Sequence, residues 1–314
     1  MSLRVTFLGT GGAVPTVERG ASAVHVSREG DEFLFDCGEG TQRQMMRFGT
    51  GFGPDHVFVT HLHGDHVLGL PGLVQTLGFN GRTRALAVHG PPGTRRRLRD
   101  LVHAAGHEPE FPVRISEVSP GAVALARDDY EVRAFRTDHR TTSVGYALVE
   151  DDRPGRFDRE TAEEELEIPP GPAYGRLHDG EPVTLDDGRT VRPEQVVGPP
   201  RPGRRVVYTG DTRPSEGVET AAADADLLVH DATFADAEAG RARSTGHTTA
   251  SEAAALAART GARRLALVHV SARYAGDVGV LAGEARERLD EAGCDAEAFV
   301  PDDGDTVEVS FPDD

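Results

Sequence analysis

The chain has 314 residues, with 52 Asp and Glu against 34 basic residues, and every one of those 34 is Arg. A formal net charge of -18 argues, taken alone, against a nucleic-acid partner, and no run of about 18 apolar residues exists to span a membrane. Two cysteines, Cys37 and Cys294, and an N-terminus that enters a strand without a signal-peptide pattern make a cytoplasmic protein the simplest reading.

In chain order, apolar alternation over residues 3–8 predicts a first strand. Gly9-Thr10-Gly11-Gly12 then reads as a tight turn, because the glycine spacing of a dinucleotide-binding loop is absent. Residues 21–26 and 32–35 read as the next two strands of a meander. Asp36 closes the second, where it can cap a turn or hydrogen-bond a metal-ligating histidine. A helix is predicted over 41–48.

The run 57–61 predicts a buried strand leading into Thr60-His61-Leu62-His63-Gly64-Asp65-His66. On extended chain His61 and His63 point to one side. Gly64 lets the backbone bend, and Asp65 and His66 follow, ahead of an apolar run, 67–77, that predicts a buried helix. Four imidazole and carboxylate groups within six residues thus converge at a strand-to-helix junction, a donor set suited to zinc or another borderline divalent ion.

Residues 85–89, 113–118, 130–137 and 143–150 read as strands, and 94–105 as an amphipathic helix whose arginines form a solvated face. His139 follows a strand end and, taken alone, would pass for a surface histidine. From 151 to 204, Pro, Gly and charge dominate around Pro169-Pro170-Gly171-Pro172-Ala173-Tyr174-Gly175, so the segment is expected to bury little core of its own. A strand at 205–208 ends on Thr209-Gly210-Asp211-Thr212, where a turn alone would explain Asp211. A strand at 226–230 leads into Asp231-Ala232-Thr233. Thr249-Ala250-Ser251-Glu252 fits a capping box, which starts a helix running to about residue 258. His247 then sits just outside a helix N-terminus, where the dipole disfavours imidazolium while a nearby acid such as Asp231 would favour it. A histidine so balanced could donate a proton near neutral pH, or could simply cap the helix. Residues 263–268 form a strand ending at His269, 280–292 a helix, and 298–311 two short strand-like runs. His25, His56, His89, His103, His107, His178 and His230 read as surface or capping residues.

The His-x-His-x-Asp-His pattern resembles the signature of the metallo-β-lactamase superfamily. Phe7-Leu8-Gly9-Thr10-Gly11, Asp36-Cys37-Gly38-Glu39-Gly40-Thr41-Gln42 and the Gly-Pro-rich segment resemble one branch of it, the RNase Z family of tRNA 3′-processing endonucleases. The resemblance runs from Phe7 to His269. It implies an α/β fold, an αβ/βα sandwich of two mixed sheets with outer helices. One domain would span 1–314, with a flexible tRNA-binding arm inserted at about 151–204. It further implies two zinc ions per subunit, one on His61, His63 and His139, the other on Asp65, His66 and His269, with Asp211 bridging and Asp36 supporting a ligand. Asp65 would also orient the attacking water. His247 would protonate the leaving 3′ oxygen, supported by Asp231 where the family usually has Glu. The implied reaction removes the 3′ trailer from precursor tRNA, leaving a 3′-OH on the tRNA and a 5′-phosphate on the trailer. The implied partners are precursor tRNA, gripped by an arm that includes Gly171, Pro172 and Tyr174, and a second copy of the chain in a homodimer.

An acidic, lysine-free composition resembles the cytoplasmic proteins of salt-loving archaea. Molar salt also eases the charge conflict, since at about 1 M the Debye length falls to about 3 Å. Short-range arginine contacts then remain, and Arg153, Arg156 and Arg176 are expected to hold phosphate near the cleft and arm. Two other hypotheses compete. A hydrolase of the same fold acting on small phosphodiesters or other esters would need no arm, and a catalytically silent RNA-binding module would need no complete ligand set.

Overall fold

The computed structural model describes residues 2–104, 106 and 108–312. It contains two compact units, one of Met1–Val149 with Arg205–Ser310, the other of Glu150–Arg204 with Phe311–Asp314.

The first unit holds two seven-stranded sheets. In spatial order, the first runs Thr306–Glu308, Leu3–Gly9, Ala23–Arg28, Asp31–Phe35, His56–Phe58, Leu86–Gly90 and Val113–Glu117. The second runs Glu297–Phe299, Arg264–Val268, Leu227–Asp231, Arg205–Tyr208, Val144–Glu150, Tyr130–Arg136 and Val123–Ala126. Strand alternation sorts the side chains. Leu3, Val5, Phe7, Phe33, Phe35, Val206, Tyr208 and Val229 share the core between the sheets. Their neighbours face outward: Leu8, Leu34 and Val57 pack under Met45, Leu70, Leu73 and Leu77, and Val207, Leu228 and Leu265 under Val218, Ala253, Leu256 and Leu281. Strands buried on both faces need near-continuous apolar runs, which these have. The result is the expected αβ/βα sandwich.

Both sheets are parallel at their centres. His56–Phe58 lies parallel to both its neighbours, and so does Leu227–Asp231. Parallel strands send their carboxyl ends to one edge, where the following loops gather.

Several expectations need correction. The strand predicted at 57–61 stops at Phe58, because the Thr60 N–H turns to the Asp36 carboxylate at 2.7 Å. The helix predicted at 67–77 is two, Gly64–Val67 and Leu70–Phe79. They part at Gly69, whose backbone lies so close to the Gly38 carbonyl that a Cβ would fall 2.0 Å from it. The glycine turn at 9–12 is partly strand, with Gly11–Gly12 paired in parallel to Val270–Ser271. The strand Val123–Ala126 and the helices Glu216–Ala222 and Ala239–Thr245 escaped the sequence reading. His25, His89 and His230 are buried, not superficial; His107 lies outside the described residues.

In the second unit the expectation of little core also fails. Ala162, Ile168, Leu177, Val183, Val191 and Val196 form a buried cluster, flanked by Phe157 and Tyr174. The helix Pro172–His178 carries Leu177, the hairpin Val183–Thr184 with Thr190–Val191 carries Val183 and Val191, and the single turn Thr161–Glu165 carries Ala162. Glu150 and Arg204, both buried, form a two-pronged ion pair at 2.7 and 2.8 Å, and Phe311 is flanked by Arg153 and Arg204, whose guanidinium carbons lie 3.5 and 4.2 Å from its ring centre. No helix among the described residues is long and apolar enough to cross a membrane.

Candidate active site

The loops at the carboxyl ends of both sheets bring His61, His63, Asp65, His66, His139, Asp211, Asp231, His247 and His269 together. Three overlapping groups of ligand atoms each lie within 4.8 Å of one another: His61, His63, His139 and Asp211; Asp65, His66 and His269; Asp211, Asp231, His247 and His269. Any of them could hold a metal ion.

Four of the imidazoles are oriented through Nδ1. His139 donates from Nδ1 to the Gly246 carbonyl at 2.8 Å, and His66 from Nδ1 to Asp36 at 2.7 Å. The Thr60 hydroxyl donates to Asp36 at 2.9 Å and so accepts from His61 Nδ1 at 3.0 Å. The Thr233 hydroxyl likewise donates to Asp231 at 2.7 Å and accepts from His269 Nδ1 at 2.8 Å. Each ring therefore keeps its Nε2 lone pair for the centre of the site. His63 differs: its Nδ1 faces inward, 2.9 Å from His61 Nε2 and 3.3 Å from His139 Nε2. Asp65 is steadied by the Ala13 N–H at 2.7 Å, and its Oδ2 lies 3.2 Å from the His269 Nε2 lone pair.

Asp211 lies among these nitrogens, 3.2 Å from His66 and His269 and 3.5 Å from His61. Burial would push its carboxyl up, but His269, His66 and His61 hold it well below the usual range. His66 Nε2 and Asp211 Oδ1 are buried without a hydrogen-bond partner. Asp36 also accepts from the Tyr208 hydroxyl at 2.9 Å, so it supports His66 rather than capping a turn. Asp36 and His269 both adopt left-handed backbone, with φ of 56° and 61°, a conformation uncommon for non-glycine residues. Beside His269, Gly12 leaves room that a Cβ would take, 2.6 Å from the ring.

Asp231 is fully buried and accepts from the Thr233 N–H, the Thr233 hydroxyl and the Thr212 N–H. Its other contact is His247 Nδ1 at 2.8 Å. Burial lowers the affinity of His247 for a proton, but the Asp231 carboxylate lifts its pKa to about 9. The unforeseen helix Ala239–Thr245 adds to this: the His247 N–H caps it on the Ala242 carbonyl at 2.9 Å, at the helix end that favours a cation. Thr60, Tyr208 and Thr233 went unnoticed in the sequence, since a threonine or tyrosine carries no spacing signal for such support. A cleft of about 710 Å³ opens over the site, lined by His63, Asp65, Asp211, His247 and His269 together with Ala13, Pro15, Glu39, Leu68, Arg140 and Thr245.

The expected arm residues lie in the second unit. Tyr174 packs on Phe157, ring centres 4.6 Å apart, and its hydroxyl donates to the Ile168 carbonyl, so it serves the core of that unit. Gly171 and Pro172 are exposed at the start of its helix. Arg153 is spent on Phe311 and Arg176 on Glu181, while Arg156 is exposed. With thirteen acidic residues against eight arginines over 151–204, the segment is net acidic rather than a basic patch.

Residues 3–153 match the family described as anti-Pycsar protein Apyc1, and 178–270 match the beta-lactamase superfamily domain. The chain is 66% identical to a ribonuclease Z of Halorubrum lacusprofundi, over 100% of this chain and 99% of that one. It is 64% identical to one of Haloferax volcanii, over 100% and 97%. Among solved structures it resembles the short form of human tRNase Z, with a TM-score of 0.70 and 28% identity over 98% of this chain and 100% of that one. A metallo-β-lactamase fold protein of Bacillus subtilis, YhfI, shares the fold at the same TM-score and 18% identity, over 98% and 100%.

Proposed function

The chain belongs to the ribonuclease Z family and is a tRNA 3′-processing endonuclease, and we propose that it cuts with two zinc ions. His61, His63 and His139 would hold one, Asp65, His66 and His269 the other, with Asp211 shared. The observation that carries this is the commitment of Nδ1 in four imidazoles, which turns their Nε2 lone pairs inward. Crowded lone pairs and the partnerless His66 Nε2 and Asp211 Oδ1 are costly inside a protein, and a cation relieves that cost. The mixture of imidazole and carboxylate donors suits zinc. When bound, two such ions lower the pKa of a water and stabilise the charge that builds on the phosphate.

The chain's own residues do the rest. Asp65, fixed by the Ala13 N–H, faces the cleft and orients the attacking water. His247 gives its Nδ1 proton to the bond with Asp231, so Nε2 carries the proton that passes to the leaving 3′ oxygen. The tRNA then ends in a 3′-OH and the trailer begins with a 5′-phosphate. Asp231 takes the role of the family's Glu on a shorter stem, with its position set by Thr212 and Thr233. The unit at 150–204 serves as the arm that grips tRNA, reaching the substrate of the partner copy in a cytoplasmic homodimer.

Cleavage of a 3′-extended precursor tRNA in molar KCl, with and without chelator, tests the reading. Release of one trailer at the discriminator base, lost on chelation and regained with zinc, is expected. An intact precursor beside turnover of bis-p-nitrophenyl phosphate would move the protein to small phosphodiesters. A monomer mass by light scattering would remove the dimer.

A further inference from the structure

Among the described residues, the cleft is lined by three carboxylates, Glu39, Asp65 and Asp211, and by a single guanidinium, that of Arg140. Arg140 follows His139 in the chain, and its stem lies along Gly246, where a Cβ would meet Arg140 Cγ at 3.0 Å and its backbone N at 3.3 Å. The two residues before it are fixed. His139 is bonded to the Gly246 carbonyl at 2.8 Å, and Asp138 is clamped by the Arg213 guanidinium at 2.8 and 2.9 Å. The two arginines differ in what their forks hold. Arg213 is consumed by Asp138, whereas Arg140 is exposed and, among the described residues, pairs with no carboxylate.

We propose that Arg140 binds the non-bridging oxygens of an RNA phosphate in the cleft and holds the strand in register with the histidine cluster. This rests on the reading of the cleft as a tRNA 3′ endonuclease site. A guanidinium stays charged and matches two phosphate oxygens with a planar fork. The chain carries a net charge of -18, so long-range attraction cannot draw RNA in. At about 1 M salt, fields fade within about 3 Å, and a fixed fork at contact distance is the kind of attraction that persists.

Steady-state kinetics of Arg140→Gln and Arg140→Lys on precursor tRNA, from about 1 to 3 M KCl, test this. Arg140→Gln is expected to raise KM about ten-fold, as loss of a charged hydrogen bond would, with kcat nearly unchanged. The fall of log kcat/KM with log salt should become shallower by about 0.7–0.9, the mark of one lost phosphate contact. Arg140→Lys should keep the salt slope and recover KM only in part, since an ammonium is a point charge. Wild-type KM and slope in Arg140→Gln would overturn the proposal. So would a fall in kcat at constant KM, which would mean that the arginine acts through His139 and not on RNA. Failure of the wild-type chain to cut precursor tRNA would instead overturn the endonuclease reading.

Discussion

The first sheet delivers His61, His63, Asp65 and His66 to the site from one short loop, whereas the second delivers His139, Asp211, Asp231, His247 and His269 from five separate places in the chain. In the first half the backbone does the placing locally, with a bend at Gly64 and a turn where Thr60 leaves its strand for Asp36. In the second half Asp211, Asp231 and His269 depend on strand register, Tyr146 opposite Tyr208, Tyr208 beside Val229, Asp231 beside Val268. A one-residue slip there would turn a donor to the wrong face. The halves also differ in chemistry. The loop supplies mostly inward lone pairs, and the scattered half adds the protonated partner, His247 on Asp231.

If that division is right, the largest effect comes from the loop. His63→Ala should abolish trailer release and lower bound zinc by about one ion per chain, read by activity and elemental analysis. Full activity with unchanged zinc would sink the metal assignment. His247→Ala should keep its zinc yet lose about 10²–10⁴ in kcat, the usual worth of a positioned proton donor. Zinc loss in that variant would erase the distinction between the halves.

The same division explains what was legible in the sequence. A histidine-rich loop after an apolar run announces itself, because all its donors share one local geometry. His139, Asp211 and His269 are single residues at strand ends, and only a family resemblance separates them from ordinary turn and surface residues. The hydroxyls of Thr60, Thr233 and Tyr208 were invisible for a further reason: their partners are chosen by packing between elements far apart in sequence. The segment 151–204 misled in the opposite direction. Its apolar residues are sparse and aperiodic, yet Ile168, Leu177, Val183 and Val196 meet in one small core. His89 was misread because a strand histidine bonded across the sheet leaves no mark on the pattern.

One such pair makes the first half sensitive to acid. His56 Nδ1 lies 2.9 Å from His89 Nε2, and His89 Nδ1 lies 2.8 Å from the Ser116 hydroxyl. Burial, with His56 adding to it, lowers the His89 pKa to about 4 from 6.5. The unfolded chain therefore takes up this proton first, so the stability due to a neutral His89 is complete above about pH 6.5 and is lost as pH falls toward 4. The loss should approach about 3 kcal/mol. Denaturant unfolding of wild type and His89→Gln between pH 7 and pH 5 checks it, with a flatter profile expected for the variant.

The two smallest effects probe the joint between the halves, where Asp36 of the first sheet meets Tyr208 of the second. Asp36→Asn keeps the shape but removes the charge that fixes Nδ1–H on His66, and such supports are worth about 10- to 100-fold in metal affinity. Zinc competition with a chelating dye would read it. Tyr208→Phe removes a single donor, while Asp36 keeps its bonds to Thr60 and His66. If the halves meet as two preformed pieces, this variant loses about 1.5–3 kcal/mol of stability for a buried hydrogen bond to a charged group and binds zinc as wild type does. If the register of the second sheet instead depends on this bond, zinc affinity and kcat fall together, because Asp211 follows Tyr208 by three residues and would move with it.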